Sequence, residues 1–376
     1  MSSSIFFAAS VVGYLALRPP LLQGRREEVD VEEWVQRFID DGVTTINIFS
    51  PSDCASFMSE IESIIEHRTG IKPTFNPPTS LEHMRESAKA ITEELSSTNG
   101  TGGVMDVHLD QFLDHVRTSP LIWSRIKTIW SATYGSSNPL FPPKFNASWS
   151  EGFVKLDRIC YRFPTFPSTS KKSFKKSQPT RCLLPHVDTC PSLNLLGDVQ
   201  SFYRPVQCFL ALTDTVLQNK GGFEAALGLH KNFDDWGKKL EDQNVRGCNG
   251  NYIGIREKAV YEKIKHVVVK AGDVVVWDER IPHATSKFNF GEVRGAIYLS
   301  YLPDCEINRN FKRREWEGWK KGEVWYGEGG GDGVWAERKG WVKEGGRRPE
   351  RKWKVGVEEL LGVGVFDKQN SDEDAR

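Results

Sequence analysis

His186 and Asp188 stand two positions apart in the run Leu183-Leu184-Pro185-His186-Val187-Asp188-Thr189. Alternate side chains of an extended strand share a face, so an imidazole and a carboxylate project together there and can chelate one metal ion. A distant run, Trp277-Asp278-Glu279-Arg280-Ile281-Pro282-His283-Ala284-Thr285, supplies a second imidazole, His283, after a Gly-Asp turn and an apolar strand. Two histidines and one carboxylate on one side of an ion, with the other positions open, is the arrangement of non-haem Fe(II) oxygenases. Arg294 follows on the next apolar run, Val293 to Tyr301, where a guanidinium can grip a carboxylate through two parallel hydrogen bonds. Each piece alone has an ordinary structural explanation. Their order and context make the combination specific. The expected metal ligands and catalytic residues are His186, Asp188 and His283, with Arg294 binding an organic acid beside the ion.

Other motifs fall in the same order along the chain. They are the strand Pro205 to Asp214, the turn Lys220-Gly221-Gly222-Phe223-Glu224 leading to Gly228-Leu229-His230-Lys231, and Ala271-Gly272-Asp273 running into Val274 to Trp277. Together with the triad and Arg294 they resemble the phytanoyl-CoA dioxygenase family of Fe(II)- and 2-oxoglutarate-dependent oxygenases. Ile39 to Ile46 and Phe49 to Cys54 resemble that family's opening helix, glycine, strand and second helix, so the resemblance runs from about residue 29 to about residue 302. It departs at Leu227-Gly228-Leu229-His230, where the family usually has Pro-Gly-Ser-His. That loop lies near the substrate in relatives, so the departure bears on the substrate more than on the metal.

The resemblance implies a mainly β fold with flanking α: a double-stranded β-helix (jelly-roll, cupin-like) with N-terminal helices packed outside. It implies Fe(II) on His186, Asp188 and His283, 2-oxoglutarate as co-substrate, O2 as oxidant, and ascorbate as a candidate accessory. The far carboxylate of 2-oxoglutarate would lie on Arg294, with the Thr285 hydroxyl as a second cofactor-binding group. A polar or basic side chain from an early barrel strand would help hold the oxoacid, and Arg158 and Tyr161 are the candidates. The implied activity is hydroxylation, or another oxidation, of an unidentified small organic substrate, coupled to decarboxylation of 2-oxoglutarate to succinate. Two alternatives stand beside it: a non-catalytic metal-binding jelly-roll, against which the intact triad with Arg294 argues, and a protein or peptide hydroxylase.

Bulk properties fit this reading. Fifty basic and fifty acidic residues cancel in a chain of 376, so nothing global points to nucleic acid or a membrane surface. The seven cysteines form no C-x-x-C pair and are odd in number, which suits reduced thiols in a cytoplasmic protein. The apolar run Ile5 to Leu17 is shorter than the ~20 residues of a bilayer span, so no stable membrane span is expected. The oligomeric state is left open.

The positioning elements can be read in turn. Val31, Trp34, Val35 and Phe38 recur at helical spacing up to Asp41-Gly42, and Val43 to Phe49 reads as a strand. Ser50, Pro51 and Asp53 open a helix carrying Phe57, Ile61, Ile64 and Ile65. Further helices are expected over Leu81 to Leu95, Asp106 to Val116 and Pro120 to Tyr134, with His108 and His115 on a surface stripe. A strand over Phe153 to Phe163 would place Leu156, Arg158, Cys160 and Arg162 on one face. The basic loop Ser168 to Arg181 reads as solvated, or as a lid attracting an anionic substrate. On Val206 to Thr213, Gln207, Phe209 and Ala211 share a face that can wall a pocket, while His230 reads as a packing residue. The expected organisation is an N-terminal arm over 1–28, an oxygenase domain over 29–310 with its core at about 150–302, and a Trp/Gly-rich extension over 311–376, disordered from about 367.

Overall fold

Strands covered on both faces read as continuous apolar runs, and three such runs form the centre of the structure, a computed structural model that describes residues 31–73, 80–166, 178–189, 202–242 and 258–321. They are Val206–Ala211, Asp273–Asp278 and Arg294–Asp304. Numbered in chain order with the rest, these are β5, β8 and β10, and they lie in a seven-stranded antiparallel sheet. The others are β1 (Val43–Asn47), β2 (Val104–Met105), β3 (Ser148–Lys155) and β4 (Ile159–Arg162). The order is β1-β8-β5-β10-β4-β2, with β3 also pairing with β10. A second sheet joins β6 (Phe223–Ala226) to β7 (Ile264–His266) and β9 (His283–Thr285).

The period of two divides the large sheet into a helical side and a chamber side. Val206, Cys208, Leu210, Val274, Val276, Ile297 and Leu299 pack into the larger core beneath the helices. Phe209, Ala211, Val275, Trp277, Ala296 and Cys160 face the other way and meet Phe223 and Ala225 of the small sheet. The helical layer includes α1 (Val31–Asp41), α2 (Pro51–Thr69), α3 (Leu81–Leu95), α4 (Gln111–Arg117) and α5 (Pro120–Ala132). At the start of α2 the Ser50 hydroxyl accepts from the Asp53 amide at 3.2 Å, and the Asp53 carboxylate accepts from the Ser50 amide at 2.9 Å. The N-cap is the one the sequence predicts, and the bond back from the Ser50 amide makes it reciprocal.

Several expectations change. The strand expected over 153–163 is broken at Leu156 to Arg158, because side chains take the backbone donors there. The Leu156 amide donates to Glu315 Oε1 at 2.9 Å, and the Arg158 amide to Asp157 Oδ1 at 2.8 Å. The helix expected from Asp106 begins only at Gln111, capped by Asp110. His108 lies ahead of it, buried instead of on a surface stripe, while His115 is exposed. The boundary placed at 310/311 falls inside a helix, Glu306–Lys321. Its buried Lys312 donates to the Val154 carbonyl at 2.6 Å, which fixes the helix to β3. The described fold is a mixture of helices and antiparallel sheets, richer in helix than a mainly β reading implies. The arm over 1–28, the basic segment 168–177 and the chain beyond Lys321 lie outside the described residues. No described helix is long and apolar enough to cross a membrane.

Gly272 joins three strands at one point. Its amide donates to Ala211 O at 2.9 Å, and its carbonyl accepts from the Ile48 and Phe49 amides at 2.9 and 3.2 Å. Its φ is +92°, and a Cβ there would stand 1.9 Å from the Phe49 carbonyl oxygen. Gly272→Ala is therefore expected to lose about 2 kcal/mol or more of stability, read as a lower midpoint in denaturant titration. An unchanged midpoint would contradict this account of the turn.

Candidate metal centre

His186 and His283 are opposite partners in an isolated antiparallel bridge. The His186 amide donates to His283 O at 3.0 Å, and the His283 amide to His186 O at 2.9 Å. The ladder continues to Leu183 and Thr285: the Thr285 amide donates to Leu183 O at 3.0 Å, and the Leu183 amide donates to Thr285 Oγ1 at 2.8 Å. Two segments 97 positions apart are thus held in register, with their imidazole centroids 4.2 Å apart. Asp188, two residues along from His186, completes the group. Its Oδ1 is 3.5 Å from His186 Nε2 and its Oδ2 is 3.8 Å from His283 Nε2.

The donor chemistry fits a shared cation. His186 Nδ1 is 2.9 Å from Leu184 O, and His283 Nδ1 is 3.0 Å from Ile281 O. A carbonyl can only accept, so these contacts assign the proton of each neutral ring to Nδ1 and turn a lone pair on each Nε2 toward Asp188. The three donor atoms lie within 4.8 Å of one another. Ligands about 2.1 Å from one ion stand roughly 3.0 to 3.5 Å apart, so only small side-chain adjustments are needed. Trp277 and Phe223 cover the His283 ring, with centroids at 5.3 and 5.7 Å.

Local electrostatics favour the metal-binding protonation states. Desolvation pushes the Asp188 carboxyl up, but the charges of His283, His186 and Arg204 and the amide of Gln207 outweigh it and hold the group at about 2. Burial, followed by the charge of His186, lowers His283 to about 4 against the opposing pull of Asp188. At neutral pH the pair is therefore a carboxylate and a neutral imidazole.

Two buried guanidiniums lie on the same face of the large sheet. Arg294 pairs with Arg162 across β10 and β4, and they are 4% and 2% exposed. Arg294 donates to Cys160 Sγ at 3.2 Å and lies over the Phe209 ring, 5.3 Å from its centroid. Arg162 donates to the carbonyls of Gly221 and Lys287 at 3.3 and 3.2 Å. No carboxylate among the described residues forms an ion pair with either. Burial and the charge of Arg294 bring Arg162 down to about 10. Adjacent buried cations without an acid are costly, and an anion beside them offsets that cost.

Of the early-strand candidates, Tyr161 turns to the helical side, where its hydroxyl donates to Glu62 Oε1 at 3.0 Å. Arg158 lies in the break between β3 and β4, 3.7 Å from Asp106. Alternation groups Arg162 with Cys160 on one face without saying which way that face turns, and it gives Arg162 no role. Its significance comes from the β4–β10 register, which carries no local signal. His230 proves to be a packing residue, its Nε2 3.1 Å from Ile39 O. The described cysteines, Cys54, Cys160, Cys182, Cys208 and Cys305, are all free.

No protein-family model matches the sequence, and no curated relative matches it at a significant level. Solved structures are similar. GlcNAc Inducible Gene 2, GIG2 (DUF1479), from Candida albicans matches with a TM-score of 0.55 and 14% identity over 90% of this chain and 81% of that one. The hypothetical protein JW0805 from Escherichia coli, solved at high pH, matches at 0.59 and 15% identity over 89% and 83%. Identities this low establish a shared fold and nothing about activity. SnoN, a non-heme alpha ketoglutarate dependent epimerase from nogalamycin biosynthesis, is a weaker likeness, at 0.42 and 13% identity over 72% and 82%. That score carries no weight for fold or chemistry.

The lowered His283 gives a pH expectation for the metal-free chain. Unfolded histidine takes up its proton near 6.5, whereas folded His283 does so only near 4. The unfolded state therefore gains a proton first as pH falls, and stability declines from about pH 6.5 toward 4. Melting midpoints measured across that window should fall less steeply for His283→Gln than for the parent. Parallel slopes would exclude His283 as a source of the decline.

Proposed function

We propose that the chain is a non-haem iron, 2-oxoglutarate-dependent oxygenase that oxidises a small organic substrate. One observation carries this reading: two Nε2 atoms and a carboxylate converge beside a buried, acid-free guanidinium pair in the same chamber. A metal triad alone would suit a hydrolase or a structural site. The accompanying demand for an anion is what favours a bound oxoacid. The two facing sheets suit a double-stranded β-helix, and the motif order favours a phytanoyl-CoA dioxygenase-like member of the class. The free thiols suit a reducing, cytoplasmic setting.

Iron, 2-oxoglutarate and O2 together would supply the oxidising power that converts a substrate C–H bond to C–OH while 2-oxoglutarate becomes succinate and CO2. The chain's own residues bind, orient and shield. His186, Asp188 and His283 would hold the metal, and the Leu184 and Ile281 carbonyls keep both Nε2 atoms aimed at it. Arg294, held over Phe209, presents its guanidinium to the distal carboxylate of the oxoacid. The adjacent charge of Arg162 favours a charged group over a neutral one there. The Thr285 hydroxyl accepts from Leu183 and keeps its own proton to donate to that carboxylate. Trp277 and Phe223 keep water from one side of His283.

Anaerobic addition of Fe(II) and 2-oxoglutarate to the full chain is expected to give a visible metal-to-ligand charge-transfer band, absent in His186→Ala. A parent protein with no band would refute the oxygenase reading. Arg294→Met removes a charge-assisted pair, so affinity for 2-oxoglutarate should weaken roughly 10- to 100-fold in titrations of that band. Metal affinity should change far less, and equal loss of both would assign Arg294 to the metal site instead.

A further inference from the structure

Arg204 leads into β5 beside the triad, with 17% of its side chain exposed. One arm is fixed: Nη1 donates to Ser300 Oγ at 2.7 Å and lies 3.6 Å from Asp157 Oδ2. The guanidinium also lies over Phe202, 5.6 Å from the ring centroid. The other arm is different. Nη2 stands 3.8 Å from Asp188 Oδ2, beyond hydrogen-bond reach, and no other acceptor among the described residues takes its protons. It points toward the metal-ligand carboxylate, whose side chain keeps 33% of its surface exposed. Leu184, 58% exposed, lies two residues before His186.

We propose that the substrate of this centre is a small anion whose carboxylate or phosphate oxygens dock on Arg204. The proposal deepens the oxygenase reading and takes the metal from it. Lys155, Arg204, Asp157 and Asp188 form one chain of ion pairs, two basic groups with two acidic ones, and the buried Glu279 carboxyl also feels the charge of Arg204. A divalent ion on Asp188 adds two positive charges to this group. It also engages the carboxylate that Nη2 faces, so less of that carboxylate's charge is left for Arg204. One of the oxoacid's two carboxylates would lie on the ion and the other on Arg294 and Arg162, so positive charge is still left over beside Arg204. A planar guanidinium with one arm fixed and the other open is suited to a carboxylate or phosphate. Anion docking on Arg204 is therefore strengthened by the metal, because the ion weakens Asp188 as a competitor.

The test uses the full chain loaded with Zn(II), which undergoes no redox chemistry, and saturated with 2-oxoglutarate. Calorimetric titration compares three probes of one chain length: hexanoate, hexyl phosphate and hexanamide. At least one anion should bind about tenfold or more tightly than the amide, and the tighter of the two identifies the substrate's charged group. That preference should shrink in metal-free protein, persist in part in Arg204→Lys, which keeps the ion pairs, and vanish in Arg204→Gln. Equal binding of amide and anions, or an Arg204→Gln protein with the full preference, would overturn the proposal. An Fe(II)-loaded parent without the charge-transfer band would remove the oxygenase reading alone, since the calorimetric contrast is read on Zn(II).

Discussion

The two amide–carbonyl hydrogen bonds between His186 and His283 are the constraint on which the centre depends. A metal would pull two imidazoles together only against the entropy of closing a loop of almost a hundred residues. The backbone bridge meets that cost during folding, and the Leu183–Thr285 pair extends it by another step. The rings are then positioned before any ion arrives. Each Nδ1 contact with a carbonyl two residues earlier in its own chain fixes ring rotation without help from the rest of the fold. Asp188 needs nothing further than its two-residue offset from His186.

Charge distribution is the second organising feature. The large sheet separates a helical core, apolar and closely packed, from a chamber whose outer rows carry cations. Arg162 and Arg294 lie together at one position of the β4–β10 ladder, and Arg204 is tied to Ser300 farther along β10. Between them Phe209, Ala211 and Ala296 form an apolar interval. Inside a protein, charges unmatched by protein acids are costly. Arg162 and Arg294 have no such acid among the described residues, which is consistent with a site completed by an anionic ligand.

Much of this was legible in the sequence. The two-residue spacing of His186 and Asp188, the Gly-Asp turn before His283 and the placement of Arg294 on the following strand are local patterns, and each has a local physical meaning. Most of the outer helices were equally readable, and so was the N-cap of α2, because Ser50, Pro51 and Asp53 act within one turn of chain. Failures occurred where a distant side chain displaced a local preference. Glu315 takes the Leu156 amide and interrupts a strand that alternation alone would continue. His108 is buried ahead of a helix because Asp110, and not an earlier residue, caps it. The helix across residue 310 was missed because Lys312 and Glu315 are polar in sequence and buried in the fold.

By itself, then, the sequence determined which chemical groups are available and how neighbouring ones are oriented, since periodicity and capping act over a few residues. Tertiary structure alone decided which groups meet. Strand register set Arg162 beside Arg294, turned Tyr161 toward the helices and placed Arg204 at Asp188. Register depends on pairing between segments far apart in the chain, and a one-residue slip would reverse every face, so no local pattern could have carried that information.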